Sequence, residues 1–276
     1  MALRIVTYNL CEGGGDRLAM ITRLLRRRRA DAVALLEANS QPAVEALGRA
    51  LGMAMVYGEA NCPYAVAWLS RLPIRSSTNH RLPALAKTLL EIAVDWDHRP
   101  LRLFATHLAD RRQAVSRPRE DEMRAILGVP AAAGSQPHLL VGDLNAIRPG
   151  DPVGEPPGGE AKLGDALPDA PRRTIQSLLD AGYVDCYRAI HPRRPGYTYP
   201  SQAPWLRLDY LFAFPAMATG LASCDSTDGD LARRASDHLA VTAEFRHHES
   251  LALLPEPPEL VDGPRTDRCA GCYSFL

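Results

Sequence analysis

Short apolar runs recur along the chain, and amphipathic stretches of helical period separate only some of them. That mixture is the strongest constraint on what this sequence can fold into. Strands are read at residues 3–9, 32–36, 53–57, 64–69, 88–96, 101–106, 138–142, 208–214 and 238–245. A helix is read from Asp16, as its N-cap, to about Arg29, with Leu18, Ile21, Leu24 and Leu25 on one face. Arg26 to Arg29 sit at the favourable end of its dipole and read as a solvated helix end. Further helices are expected near 42–51, 118–127 and 172–181. Several strands neighbour one another with no helix between them. Strict βαβ alternation is therefore excluded, and mixed sheets with helices packed outside are expected.

Two segments lack a core-forming pattern. Residues 148–171 are rich in Pro and Gly, and the stretch from 249 to 276 carries Pro255, Pro257 and Pro258 before Cys269 and Cys272. The economical division is one domain, 1–248, and a Pro-rich C-terminal tail, 249–276. The lone Cys269/Cys272 pair lacks the four ligands a zinc knuckle needs. Six cysteines, mostly isolated, suit a reducing compartment, and a cytoplasmic location is expected. The N-terminus lacks the regions of a signal peptide, and no apolar run is long enough to span a membrane. Lys plus Arg and Asp plus Glu both number 32, which excludes a broadly basic nucleic-acid coater and an acidic solvating protein. Affinity for a polyanion would have to come from a local patch or a bound cation. Lys87 and Lys162 are the only lysines.

The chemistry-bearing residues sit where strands end or begin. The first strand delivers Asn9, the second Glu37, the run before residue 107 His107, and the run before residue 143 Asp143 and Asn145. Asp209 lies inside a strand pattern, where a charge needs a partner. Ser236-Asp237-His238 opens the last strand. Taken singly, each has an ordinary explanation as a turn, cap or core residue. Together, Glu37, Asp143 and Asp237 with the amides Asn9 and Asn145 form an oxygen-rich set that favours a hard cation, Mg²⁺ or Mn²⁺. Asp209 can orient His238 as a base. A cation, hydrogen-bond donors and a His–Asp pair suit attack of water on a phosphorus ester. Tyr197, Tyr199, Trp205 and Arg207 surround the approach to Asp209 and can stack on a base or sugar or contact phosphate, or simply pack the loop. The three glycines after Glu12 match no nucleotide fingerprint and read as a flexible turn near the site.

Seven motifs occur in order: Thr7-Tyr8-Asn9-Leu10, Leu36-Glu37, Ser70-Arg71-Leu72-Pro73-Ile74, Thr106-His107-Leu108, Gly142-Asp143-Leu144-Asn145, Arg207-Leu208-Asp209-Tyr210 and Ser236-Asp237-His238. In this the chain resembles the endonuclease/exonuclease/phosphatase superfamily over about residues 3–246. Gly182-Tyr183-Val184-Asp185 and Gly196-Tyr197-Thr198-Tyr199 also resemble bacterial members. The resemblance implies a four-layer α/β/β/α sandwich of two mixed sheets flanked by helices, with the site at one edge. It implies that Glu37 ligands the metal, that Asn9 supports it and that Asp237 completes the metal or hydrogen-bond shell. It further implies His238 as general base paired with Asp209, Asp143 aligning water, Asn145 holding phosphate and His107 donating to a phosphoryl oxygen. Two places depart from the family pattern. Cys11 stands where many members carry an acid, and Tyr64-Ala65-Val66-Ala67-Trp68-Leu69 offers no Glu or Asn to support His107.

The expectation is a Mg²⁺- or Mn²⁺-dependent phosphoesterase cleaving a phosphodiester, or a monoester, of a small or nucleotide-like substrate. A DNA endonuclease, exonuclease or repair nuclease is the alternative enzyme, and a non-catalytic binding module with a relic site is the alternative of another class. No membrane association is expected, and no protein partner can be inferred.

Overall fold

The computed structural model describes residues 2–132, 134, 136–156 and 171–246. The expected tail at 249–276, with Cys269 and Cys272, and most of the 148–171 segment lie outside the described residues. Within them, twelve strands form two six-stranded sheets. The first sheet contains β1 (Leu3–Asn9), β2 (Ala32–Leu36), β3 (Ala54–Gly58), β4 (Val66–Ser70), β11 (Leu221–Ser226) and β12 (Val241–Phe245), in the order β11-β12-β1-β2-β4-β3. The second contains β5 (Ile74–His80), β6 (Leu89–Trp96), β7 (Arg99–His107), β8 (His138–Asp143), β9 (Val184–Asp185) and β10 (Asp209–Ala213), in the order β5-β6-β7-β8-β10-β9. The pairs β1/β2 and β7/β8 are parallel and their neighbours antiparallel, so both sheets are mixed.

The central strands are apolar at nearly every position because both of their faces are covered. Leu3, Ile5, Ala34 and Trp68 of the first sheet meet Leu90, Ile92, Leu103 and Val141 of the second in the layer between the sheets. The Trp68 indole donates to Leu90 O at 3.1 Å across that layer, which satisfies its buried N–H. Val6, Tyr8, Val33 and Leu35 face outward onto α1 (Leu18–Arg28), α2 (Gln41–Leu51) and α7 (Asp230–Ala235). On the other side Phe104, Leu140 and Phe212 pack on α3 (Arg119–Ala131) and α4 (Pro171–Asp180). Two short helices, α5 (Cys186–Ile190) and α6 (Pro215–Ala218), complete the described elements. The result is the expected four-layer sandwich.

Local signals set some of the helix ends, α2 most clearly. Ser40 caps α2 by accepting from Ala43 N, Pro42 lies in its first turn, and Gly52 closes it at φ +63°. The start of α1 differs from expectation. Asp16 belongs to a 3-10 segment, Glu12–Arg17, and Arg17 rather than Asp16 occupies the cap. The glycines there are not a loose turn, since Gly13 and Gly14 are buried at φ +74° and +82°. Among the described residues no helix is long and apolar enough to cross a membrane.

Candidate active site

Strand register assembles the site. In the second sheet Asp143 stands opposite His107 on one side and opposite Asp209 on the other. In the first sheet Asn9 stands opposite Leu36, which places it beside Glu37. The close approach of β7 and β8 depends on Gly142, which has φ +152°, and a Cβ there would lie 1.8 Å from Thr106 O. Only glycine fits, and the Gly-Asp-Leu-Asn run follows from that steric demand.

A continuous set of contacts links the two sheets. Asn9 Nδ2 donates to Glu37 Oε1 and to Asp143 Oδ2, each at 3.2 Å. Glu37 Oε2 accepts the backbone N–H of Glu12 at 2.9 Å, so the glycine segment adjoins the site as expected. Glu37 and Asn145 have positive φ, 52° and 45°, conformations that a non-glycine residue adopts at some cost. His238 Nδ1 lies 2.9 Å from Asp209 Oδ2, and its Nε2 lies 3.7 Å from Asp143 Oδ2. His107 Nε2 lies 3.4 Å from the same Asp143 oxygen and 3.1 Å from Asn145 Nδ2. Asn145 Nδ2 also reaches Leu108 O at 3.2 Å, so a contact from that nitrogen to phosphate would compete with these two. Asp237 is half-buried, and its Oδ1 lies 3.3 Å from Ser236 Oγ.

Electrostatics follow from this crowding. Burial raises the Asp143 carboxyl to about 6, with Asp209 adding to the rise and His238 opposing it. Burial works against a charge on His238, but Asp209, Asp143 and Asp237 outweigh it and hold the imidazole up at about 10. His107 is pushed well below its usual value by burial, then by Lys87 and His238, and is neutral. The Tyr199 hydroxyl is raised by burial and then by the charges of Asp237, Asp143, Cys11 and Glu37.

The donor set fits a hard cation. Asp209 and Asp143 lie 2.9 and 3.7 Å from the His238 ring nitrogens, and Glu37 joins Asp143 through the Asn9 amide. Asp209 Oδ1 is buried with no hydrogen-bond partner, whereas Asn9 Oδ1 accepts from Cys11 N at 2.9 Å and its Nδ2 faces the carboxylates. Asp143, Asp209 and His238 have ligand atoms within 4.8 Å of one another, although His238 and Asp209 already engage each other. The Cys11 thiol has its pKa raised by burial and by Asp237, which keeps it protonated and a poor ligand at neutral pH.

The four expected substrate contacts separate. The Tyr199 ring packs 4.7 Å from the His238 ring, at the dyad. Tyr197 is half-buried, with its ring close to Gly154. Trp205 is buried in a small cluster with Ile147, Leu206 and Leu208, so it packs the loop. Arg207 does not stand where a substrate would meet it. It is 2% exposed, and its guanidinium is taken up by Asp151 (Nε at 2.7 Å) and Asp185 (3.0 and 2.6 Å) between the rings of Tyr187 and Tyr210. A buried fork with its donors paired to two carboxylates braces the structure.

Two residues of the site do not stand out as functional in the sequence. Ser236 Oγ donates to Asn9 O at 2.7 Å and accepts from His238 N at 3.3 Å, tying the segment before β12 to the end of β1 behind the dyad. Thr198 Oγ1 accepts from Leu208 N and Asp209 N at 3.1 and 3.3 Å. Both lie inside motifs that carry the family resemblance, Ser-Asp-His and Gly-Tyr-Thr-Tyr. A hydroxyl that serves only the backbone leaves no further mark in sequence.

Sandwich and site together define a phosphoester hydrolase. The chain belongs to the Endonuclease/Exonuclease/phosphatase family, whose model matches residues 6–238. Members of this family are metal-dependent phosphoester hydrolases, and this chain is an enzyme of that class. Among solved structures, a 3' phosphatase from Neisseria, NExo, bound to product DNA hairpin is 23% identical. It superposes with a TM-score of 0.70, covering 89% of this chain and 100% of that one. An AP endonuclease from Archaeoglobus fulgidus gives 19% identity, a TM-score of 0.71, and coverage of 88% and 99%. A humanized TDP2 from D. rerio gives 21%, 0.68, and coverage of 89% and 99%. No curated protein matches the chain at a significant level.

Proposed function

We propose that the protein hydrolyses a phosphodiester of a small or nucleotide-like molecule with Mg²⁺ or Mn²⁺ as cofactor. The observation that carries this reading is the His238–Asp209 pair, 2.9 Å apart, with Nε2 of the same ring directed toward Asp143 at 3.7 Å. Glu37, Asn9 and Asp237 would hold the cation, which when bound neutralises charge on the phosphoryl and leaving oxygens. Asp143 aligns the attacking water, and Asp209 fixes the His238 tautomer that receives its proton. His107 and Asn145 lie on the phosphate side and orient a phosphoryl oxygen. Tyr199 covers one side of the His238 ring and limits water there.

A second assignment of the proton acceptor has an observation behind it. An imidazole held at about 10 is charged at neutral pH, whereas a carboxyl raised to about 6 is poised to take a proton. Asp143 would then be the base, and His238 would donate to a phosphoryl oxygen. The pH–rate profile separates the two. With His238 as base, kcat climbs into the alkaline range. Asp237→Asn moves that climb to lower pH, because removing a carboxylate lowers the imidazole pKa. With Asp143 as base, kcat rises near pH 6 and falls as His238 loses its proton near 10. A bound cation shifts both limbs downward without exchanging their order.

The decisive screen is turnover of model mono- and diesters, with the His238→Ala variant as control. We expect chelation to abolish activity and Mg²⁺ or Mn²⁺ to restore it. Undiminished turnover in chelator would overturn the reading. A nuclease is the alternative, favoured by the DNA-acting names of two of the similar structures. The zero net charge and the scarcity of lysine favour the smaller substrate, because tight binding to long DNA rests on many phosphate contacts. Mg²⁺-dependent nicking of plasmid at far below one enzyme per site would decide for the nuclease.

A further inference from the structure

Lys87 is one of only two lysines in the chain, and its side chain is 1% exposed just before β6. Its ammonium donates to Leu108 O at 2.7 Å and to Gln113 Oε1 at 3.1 Å, with the Tyr64 ring 5.7 Å away. These hydrogen-bond partners are neutral oxygens. A buried charge resting on neutral partners is costly to keep, and an apolar side chain of similar length would fill the same space. The contact it makes therefore needs a reason.

That reason lies one bond further on. Leu108 O also accepts from Asn145 Nδ2, the nitrogen that touches His107 Nε2. Leu108 N in turn donates to Asp143 O at 3.0 Å. Gln113 Oε1 accepts from Asp110 N at 3.2 Å, so the same ammonium anchors the turn that follows His107. Glu122, fully buried, grips both sides of this contact. Its two oxygens accept from Ala86 N and Ala109 N, each at 2.8 Å, next in sequence to Lys87 and Leu108. Arg119 Nε closes the arrangement on Ala109 O at 2.6 Å. Three buried charged side chains thus all bond the segment that follows β7.

We propose that Lys87 is a positioning residue for the hydrolysis, holding the Leu108 carbonyl and Gln113 so that His107 and Asn145 stay fixed against Asp143. The kinetic consequence rests on the phosphodiesterase reading above, whereas the positioning itself does not.

The test compares the wild-type chain with Lys87→Met and Lys87→Arg, using bis(p-nitrophenyl) phosphate with Mg²⁺. Lys87→Met is expected to lower kcat about 10–100-fold with KM little changed, the loss typical of a misplaced site. Lys87→Arg keeps charge and donors and should recover part of it. In parallel, ¹⁵N spectra of the histidine rings should shift for His107 but not for His138, at the far end of β8, both in Lys87→Met and in Gln113→Leu, which cuts a bond of the ammonium but leaves its charge beside His107. Unchanged kcat with an unmoved His107 resonance would overturn the proposal. So would a loss that appears in KM alone, or one that only tracks the folded fraction. If the wild-type protein does not cleave the diester, the phosphodiesterase reading fails and the His107 resonance still decides the role of Lys87. If Lys87→Met does not fold, Gln113→Leu cuts one of the two bonds, and a smaller His107 shift with a smaller fall in kcat is expected. An unmoved resonance there also refutes it.

Discussion

Replacing His238 with alanine is expected to lower turnover by about 10²–10⁴-fold, the range over which a positioned proton-transfer group acts. The size follows from geometry. His238 is 6% exposed, its Nδ1 is committed to Asp209, and its Nε2 is the ring atom left to face Asp143 and the reacting water. Both assignments of the base give His238 a proton to move, so both predict the loss. Asp209→Ala should come close to the same loss, because an unoriented imidazole adopts the wrong tautomer. The circular-dichroism spectrum should be unchanged. A modest loss of thermal stability should accompany it, with a definite pH dependence. The imidazole pKa rises from 6.5 to about 10 on folding. Its charge therefore stabilises the fold fully below about pH 6.5, and that contribution disappears as pH passes 10. The variant should melt below wild type at neutral pH, with the gap closing toward pH 10. Turnover within threefold of wild type in both variants would remove the His–Asp pair from the mechanism.

Much of this site is legible in the amino-acid sequence, and the reason is physical. The strands that lead to Asn9, Glu37, His107 and Asp143 lie inside a sandwich covered on both faces, so they appear as largely apolar runs that end on a polar residue. The strands that the pattern does not disclose lie at or near sheet edges. Residues 74–80, Ile-Arg-Ser-Ser-Thr-Asn-His, form β5 with no fully buried position, and β11 has one, at Cys224. An edge strand buries too little to impose a period on its sequence. The apolar pattern assigns His238 to the last strand, but β12 begins only at Val241, and the histidine is held instead by Ser236 and Asp209.

Roles that depend on distant partners are the least legible. An arginine two residues before Asp209 reads as a phosphate contact. Nothing nearby in sequence discloses that Asp151 and Asp185, 56 and 22 residues away, claim it. Lys87 stands out in sequence only as one of two lysines, because its partners Leu108 and Gln113 lie 21 and 26 residues further on. A charged side chain announces that it needs a partner, but the sequence does not say which.

Arg207→Met is the largest stability change expected. Removing one member of a buried ion pair typically costs about 3–5 kcal/mol, because the carboxylates it served stay buried without compensation. Here the lower end of that range applies. Asp151 keeps Arg188 at 2.8 Å and Asp185 keeps Arg148 at 3.5 Å, so neither acid is left wholly alone. Arg207→Lys should not rescue the loss. A single ammonium cannot place one donor on Asp151 and two on Asp185 at once. Activity should fall as well, since Arg207 O accepts from Tyr210 Oη and the chain reaches Asp209 two residues later. The combined variant Asp151→Asn, Asp185→Asn, Arg207→Met removes the stranded charges and should regain part of the stability but little of the activity. The measurement is the urea midpoint of each variant, converted with a common slope. Midpoints of Arg207→Met and Arg207→Lys indistinguishable from wild type would show that the two carboxylates do not need this guanidinium. The substrate-contacting role that the sequence suggests for Arg207 would then be open again.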